Sequence, residues 1–127
     1  LVEGDDINEP VSDAVRAVLD GHIILDRELA AHNHYPAINI LSSVSRLMID
    51  VISKDHYNFS MKLKDFLATY SEAKDLINIG AYAKGSNPKW DIAINKIERI
   101  NAYLQQGIME TVNMEESMKT LKEIVET

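Results

Sequence analysis

From Ser53 onward, apolar side chains recur at Phe59, Leu63, Phe66, Tyr70, Ala73 and Ile77, alternately four and three residues apart. That spacing tracks the 3.6-residue helical turn and keeps all six on one face, so it predicts a long helix with a core-facing stripe. Gly80 and Gly85 punctuate its end, and Asn87-Pro88 offers a cap followed by a first-turn residue. Proline is tolerated there because the first turn leaves its N–H groups unbonded anyway. Trp90, Ala93, Ile97, Ile100 and Leu104 then repeat the spacing and predict a second long helix. After a break at Gly107, Asn113 with Glu116 resembles a capping box, ahead of a third stripe at Met114, Met118, Leu121 and Val125. Helices joined by short loops pack antiparallel, so residues 53–127 are expected to form a small helical bundle. Residues 107–127 are either its third helix or a separate tail.

Residues 1–52 read differently. Pro10 can open a short amphipathic helix whose apolar face is Val11, Ala14, Val15, Val18 and Leu19. Asp20-Gly21 breaks it. The unalternating apolar run from His22 to Leu25 then has the pattern of a strand covered on both faces, which predicts a strand of a parallel sheet. Asp26 can cap a second short helix through Ala31, and Asn33 and Pro36 end it before Ala37. Residues 35–52 are expected as loop and short extended pieces. A lone strand leaves backbone groups and an apolar face uncovered, so most of an α/β domain is expected to lie N-terminal to Leu1. The apolar pair Leu1-Val2, followed by Glu3-Gly4-Asp5-Asp6, reads as the cut end of a strand. The expected class is therefore mainly α, a helical bundle docked on the remnant of an α/β core.

Composition narrows the functions. At 127 residues and 46% hydrophobic content the chain can bury one real core. A formal charge of −7 without a Lys/Arg cluster argues against nucleic acid, whose affinity depends on basic groups displacing counterions. No run approaches the roughly 20 apolar residues of a membrane span, and no secretory leader is visible. The lack of cysteine excludes disulfides and thiolate metal sites, and cytosol is the expected compartment.

Chemistry is sparse. His22, His32, His34 and His56 show no zinc-binding spacing, so no metal site is expected. The phosphate-loop pattern G-x-x-x-x-G-K-[ST] is absent, so the chain by itself should hydrolyse nothing. Neighbouring acids such as Asp5-Asp6 and Glu115-Glu116 point apart on a helix and read as solvated pairs. Arg46 stands out because it follows the small residues Ser42-Ser43-Val44-Ser45. A guanidinium on a projecting loop can bond two phosphate oxygens and stabilise charge on a transferred γ-phosphoryl group, or it can simply be a surface arginine or a local ion pair. Tyr35, before Pro36, can stack on a planar ligand or pack a turn. Tyr82, in Gly80-Ala81-Tyr82-Ala83, is equally open.

Three segments, DGHIILDRELA, HYPAINILSSVSRLM and DLINIGAYAKGSNP, resemble in order the C-terminal portion of flagellar and type III secretion export ATPases, relatives of rotary ATP synthase catalytic subunits. The resemblance runs from residue 1 to about 104, and DLINIGAYAKGSNP is closer to the flagellar branch than to the injectisome branch. It implies that residues 1–52 are the C-terminal remnant of a RecA-like ATPase core and that residues 53–127 are the helical C-terminal domain. It implies a hexameric ring that hydrolyses ATP with Mg2+, the phosphate loop lying elsewhere in the full-length protein and no nucleotide being held by this piece alone. By position, Arg46 matches the arginine of the SxSR segment, an arginine finger acting on the neighbouring subunit's nucleotide. Tyr35 matches the aromatic of the YPA segment that stacks on adenine, and Tyr82 matches an aromatic closing the other side of the base. The same resemblance makes Asp20-Gly21-His22 scaffolding. The partners it implies are copies of the same subunit, a coiled-coil stalk protein, a stator-like regulator and export chaperone or substrate complexes, at the cytoplasmic face of the membrane. Two departures stand out: Asn39 occupies a position where many relatives carry an acid, and residues 107–127 match no family segment. The rival readings are a self-standing helical interaction module, an injectisome ATPase or a rotary synthase subunit.

Overall fold

The computed structural model describes residues 2–127, and among them the chain is mainly helical. The elements run α1 (Pro10–Val18), β1 (Gly21–His22), α2 (Arg27–Ala31), β2 (Val44–Ser45), α3 (Met48–Val51), α4 (Lys54–Asn78), α5 (Pro88–Leu104) and α6 (Met114–Glu126). Each long helix begins at a side chain that satisfies an otherwise orphaned N–H. Ser53 accepts from His56 N, Asn87 from Lys89 N and Trp90 N, and Asn113 from Glu116 N. α4 stops where Gly80 takes a φ of 69°, a backbone conformation that costs glycine nothing.

α4, α5 and α6 pack on one another around Leu63, Ile100, Leu121, Ile124 and Val125, with Phe59, Phe66, Leu67, Tyr103, Leu104 and Met118 closing the edges. Three of the five buried residues come from α6. Within the tail at 107–127, α6 is therefore integral to the core and not a separate element, whereas residues 107–113 are exposed. Lys96 joins all three helices. Its ammonium donates to Ile124 O at 2.5 Å and lies 5.1 Å over the Phe66 ring, while burial pushes its pKa below the usual lysine value. Tyr103 and Ser117 share a 2.9 Å hydroxyl contact between α5 and α6.

The N-terminal segments lie on this bundle through few polar ties. Lys74 meets Glu28 at 3.6 Å, Lys64 donates to Ser43 O, and Gln106 N donates to Tyr35 O at 2.9 Å. Between the two parts lies a cavity of about 490 Å³, lined among others by Asn39, Tyr70, Lys74, Asn101 and Gln105. His34, the one buried polar residue among those described, sits at this seam with its Nδ1 3.3 Å from Gln105 Nε2.

Two expectations change. The parallel strand over His22–Leu25 does not form; β1 pairs antiparallel with β2, Gly21 facing Ser45 and His22 facing Val44, and Leu25 bridges Ile38. Asn39 N donates to Ile24 O and Ser43 Oγ accepts from Ile24 N, so the run finds its partners in the returning loop. Apolar content sets no pairing direction, and here it does not bring burial either, since Ile23 and Leu25 stay largely exposed. The loop over 35–52 contains the short helix α3, too brief to show a period. Of the strand end expected at Leu1-Val2, Leu1 lies outside the described residues and Val2 belongs to no element.

Candidate functional site

Arg46 immediately follows β2, and its exposed guanidinium sits on the C-terminal end of α1. Nη1 donates to Ala17 O at 3.1 Å and Leu19 O at 3.0 Å, and Nη2 donates to Arg16 O at 3.3 Å. Carbonyls at a helix end lack intrahelical donors and carry the negative end of the macrodipole, so a cation is favoured there. The main chain is fixed as well, with Arg46 N donating to Asp20 O at 2.8 Å. A guanidinium has five N–H donors. Among the described residues Nε–H and one Nη2–H have no partner, and no carboxylate forms an ion pair with Arg46. The local ion-pair reading of this arginine is thereby replaced by a helix-end contact that leaves two N–H donors unspent.

Tyr35 precedes a cis peptide bond to Pro36, and about half of its surface is exposed. Its carbonyl is held by Gln106 N just beyond α5, so the loop carrying the ring is pinned to the bundle. The base of the loop is clamped elsewhere. Asn39 Nδ2 donates to Asp26 Oδ2 at 2.9 Å, Asn39 Oδ1 accepts from Ser42 N, and Ser43 Oγ donates to Asn39 O at 2.6 Å. The Asn39 amide, with a further bond from Glu28 N, holds the Asp26 carboxyl below its usual range.

Tyr82 does not join Tyr35. Its hydroxyl donates to Asp91 Oδ1 at 2.6 Å, and its ring lies 5.7 Å from Trp90, both at the start of α5. The Asp91 carboxylate raises the phenol above its usual pKa. Tyr35 is tied to the opposite end of the same helix. α5 has 17 residues and so runs roughly 25 Å, farther than one adenine can bridge. The segment that does lie beside Tyr35 is 105–106, and it leads to Ile108 and Met109, two of the most exposed apolar side chains. No periodicity singles these residues out, since they lie between two helices. Among the described residues no group of three or more His, Asp or Glu could hold a metal, and no helix is long and apolar enough to cross a membrane.

Residues 52–123 match the family described as the T3SS EscN ATPase C-terminal domain, and residues 1–45 match the nucleotide-binding domain of the ATP synthase alpha/beta family. The first match includes residues 107–123 and so most of α6, where the resemblance gave no family segment. A flagellum-specific ATP synthase from Bacillus subtilis (strain 168) is 46% identical over 121 residues, covering 95% of this chain and 28% of its own length. The assembled ATPase EscN of the enteropathogenic E. coli type III secretion system has a TM-score of 0.93 at 40% identity, over 98% of this chain and 30% of that one. EscN in complex with its central stalk EscO matches with a TM-score of 0.85 and 40% identity, over 91% of this chain and 29% of that one. This chain thus spans less than a third of these relatives. It belongs to the flagellum-specific and type III secretion ATPases of the ATP synthase alpha/beta family, and what it carries is their C-terminal domain preceded by a segment of the nucleotide-binding domain.

Proposed function

We propose that the chain is the C-terminal part of an ATPase that energises flagellar protein export. In this reading Tyr35 binds the adenine of its own subunit's ATP, and Arg46 serves the nucleotide of the next subunit in a hexameric ring. The observation that carries the reading is the exposed Arg46 guanidinium, fixed in place with two donors unspent, which is the number a forked contact with phosphate oxygens takes. The separate anchoring of Tyr35 on the bundle and Arg46 on α1 supports two half-sites facing different nucleotides. Tyr82, engaged by Asp91 and Trp90, is assigned to the start of α5 and not to the base.

ATP would bring the phosphoanhydride and Mg2+ its charge. The residues here fit the base and the γ-phosphoryl oxygens, whereas the metal falls to the part of the protein that bears the phosphate loop. The piece alone is accordingly inactive. Its helical bundle would meet a coiled-coil stalk, as the EscN–EscO complex supports by analogy, with a stator-like regulator and export chaperone or substrate complexes as further partners at the inner face of the membrane. The flagellar branch is favoured by five flagellum-specific relatives at 45–47% identity, against 40% for type III secretion relatives and for one further flagellum-specific relative.

Removal of a finger arginine costs about 10³–10⁵ in rate in phosphoryl-transfer enzymes. Arg46→Ala in the full-length protein should lower ATP turnover by at least about 10³ with little loss of ATP binding. Turnover near the wild-type value, measured by phosphate release, would refute the assignment.

A further inference from the structure

Why Arg46 reaches α1 at all depends on a residue with no side chain. Gly21 pairs with Ser45, and a Cβ added to it would stand 2.6 Å from Val44 O and 3.2 Å from Ser45 Cα. Its φ is not in the left-handed region, so an alanine would fit the backbone there and fail for want of space alone. The close approach brings Arg46 N within 2.8 Å of Asp20 O. It also sets the guanidinium against Arg16 O, Ala17 O and Leu19 O. The α1 terminus, Gly21 and β2 thus form one cradle, and its product is a long side chain already ordered, with two donors left over.

Resting on the finger reading, we infer that Gly21 is a positioning residue for Arg46, and that the carbonyls ending α1 aim the arginine before the neighbouring subunit's nucleotide arrives. A finger aimed in advance loses no freedom at the moment of reaction. Gly21 touches neither nucleotide nor phosphate in this arrangement, and it acts only by letting residues 44–46 seat against residues 19–21.

The test uses the ring-forming full-length protein and four variants: Gly21→Ala, Arg46→Ala, the double variant and Asp20→Gly. A misplacement of about 1 Å can cost on the order of 100-fold in rate. Gly21→Ala is therefore expected to lower kcat by about 10- to 100-fold while KM for ATP stays within about twofold, and the double variant should turn over no more slowly than Arg46→Ala. Asp20→Gly keeps the carbonyl that accepts from Arg46 N but frees the backbone that carries it, and should lower kcat a few-fold at unchanged KM. It decides the matter should Gly21→Ala fail to assemble. Wild-type kcat in Gly21→Ala, or in Asp20→Gly where Gly21→Ala fails to assemble, would overturn the inference. So would losses that multiply in the double variant. Normal turnover in Arg46→Ala would instead sink the finger reading itself.

Discussion

Asn39, at a position where the family resemblance implies an acid in many relatives, has a definite task in the structure. The amide donates to Asp26 Oδ2, something a carboxylate could not do without a proton. Because the Asp26 carboxyl is held below its usual range, its contribution is present above the unfolded value of about 3.9 and is lost as pH falls through the lower folded value. Asn39→Asp should therefore destabilise the chain at pH 7 by about 1 kcal/mol, the net worth of one such hydrogen bond, and the difference should shrink as the carboxylates protonate. Thermal melts followed by circular dichroism between neutral and acid pH would show whether the two proteins converge. Reading single residues from sequence had a physical limit here. The partners of Arg46 are three carbonyls, which leave no trace in side-chain identity, so composition reduced it to a surface charge and only the family resemblance raised it above that. Tyr82 shows the opposite limit: sequence order puts it at the start of α5, but nothing in the sequence tells that Tyr35 is tied just beyond the other end.

Elements were more legible than residues where their signal is local. Ser53, Asn87 and Asn113 cap the helices that the stripes predicted, because caps and stripes are set by neighbours within a few positions. Strand pairing is set by distant chain, and there the expected parallel strand gave way to a two-residue antiparallel ladder. The stripe on α5 also identifies the point of greatest sensitivity. Ile100 is fully buried between α4 and α6, and its truncation leaves a hole that neighbouring helices can only partly close. Ile100→Ala should cost roughly 3 kcal/mol, within the 2–5 kcal/mol typical of such changes, measured by urea unfolding. A loss below about 1 kcal/mol would mean that the bundle repacks far more freely than its caps and stripes imply.

For the molecule as a whole, the two parts differ in how they are held. The bundle has a dense apolar core, whereas the N-terminal segments rest on it through a few polar ties around an open seam. Gln106→Pro removes the N–H that holds Tyr35 O, and Gln105 already has the extended backbone that a following proline requires. Hydrogen exchange should then quicken over residues 34–41 while amides in the core of α4, α5 and α6 keep their protection. Gln106→Ala, which keeps the N–H, should leave both unchanged. The contrast between those two substitutions exposes a property of the Tyr35–Gln106 bond. Its donor and acceptor belong to the main chain, so the side chains at both positions are free to diverge without unfastening the joint. Of the standard residues at 106, proline alone lacks the donor, which makes this fastening nearly invisible to mutation and equally invisible in any sequence.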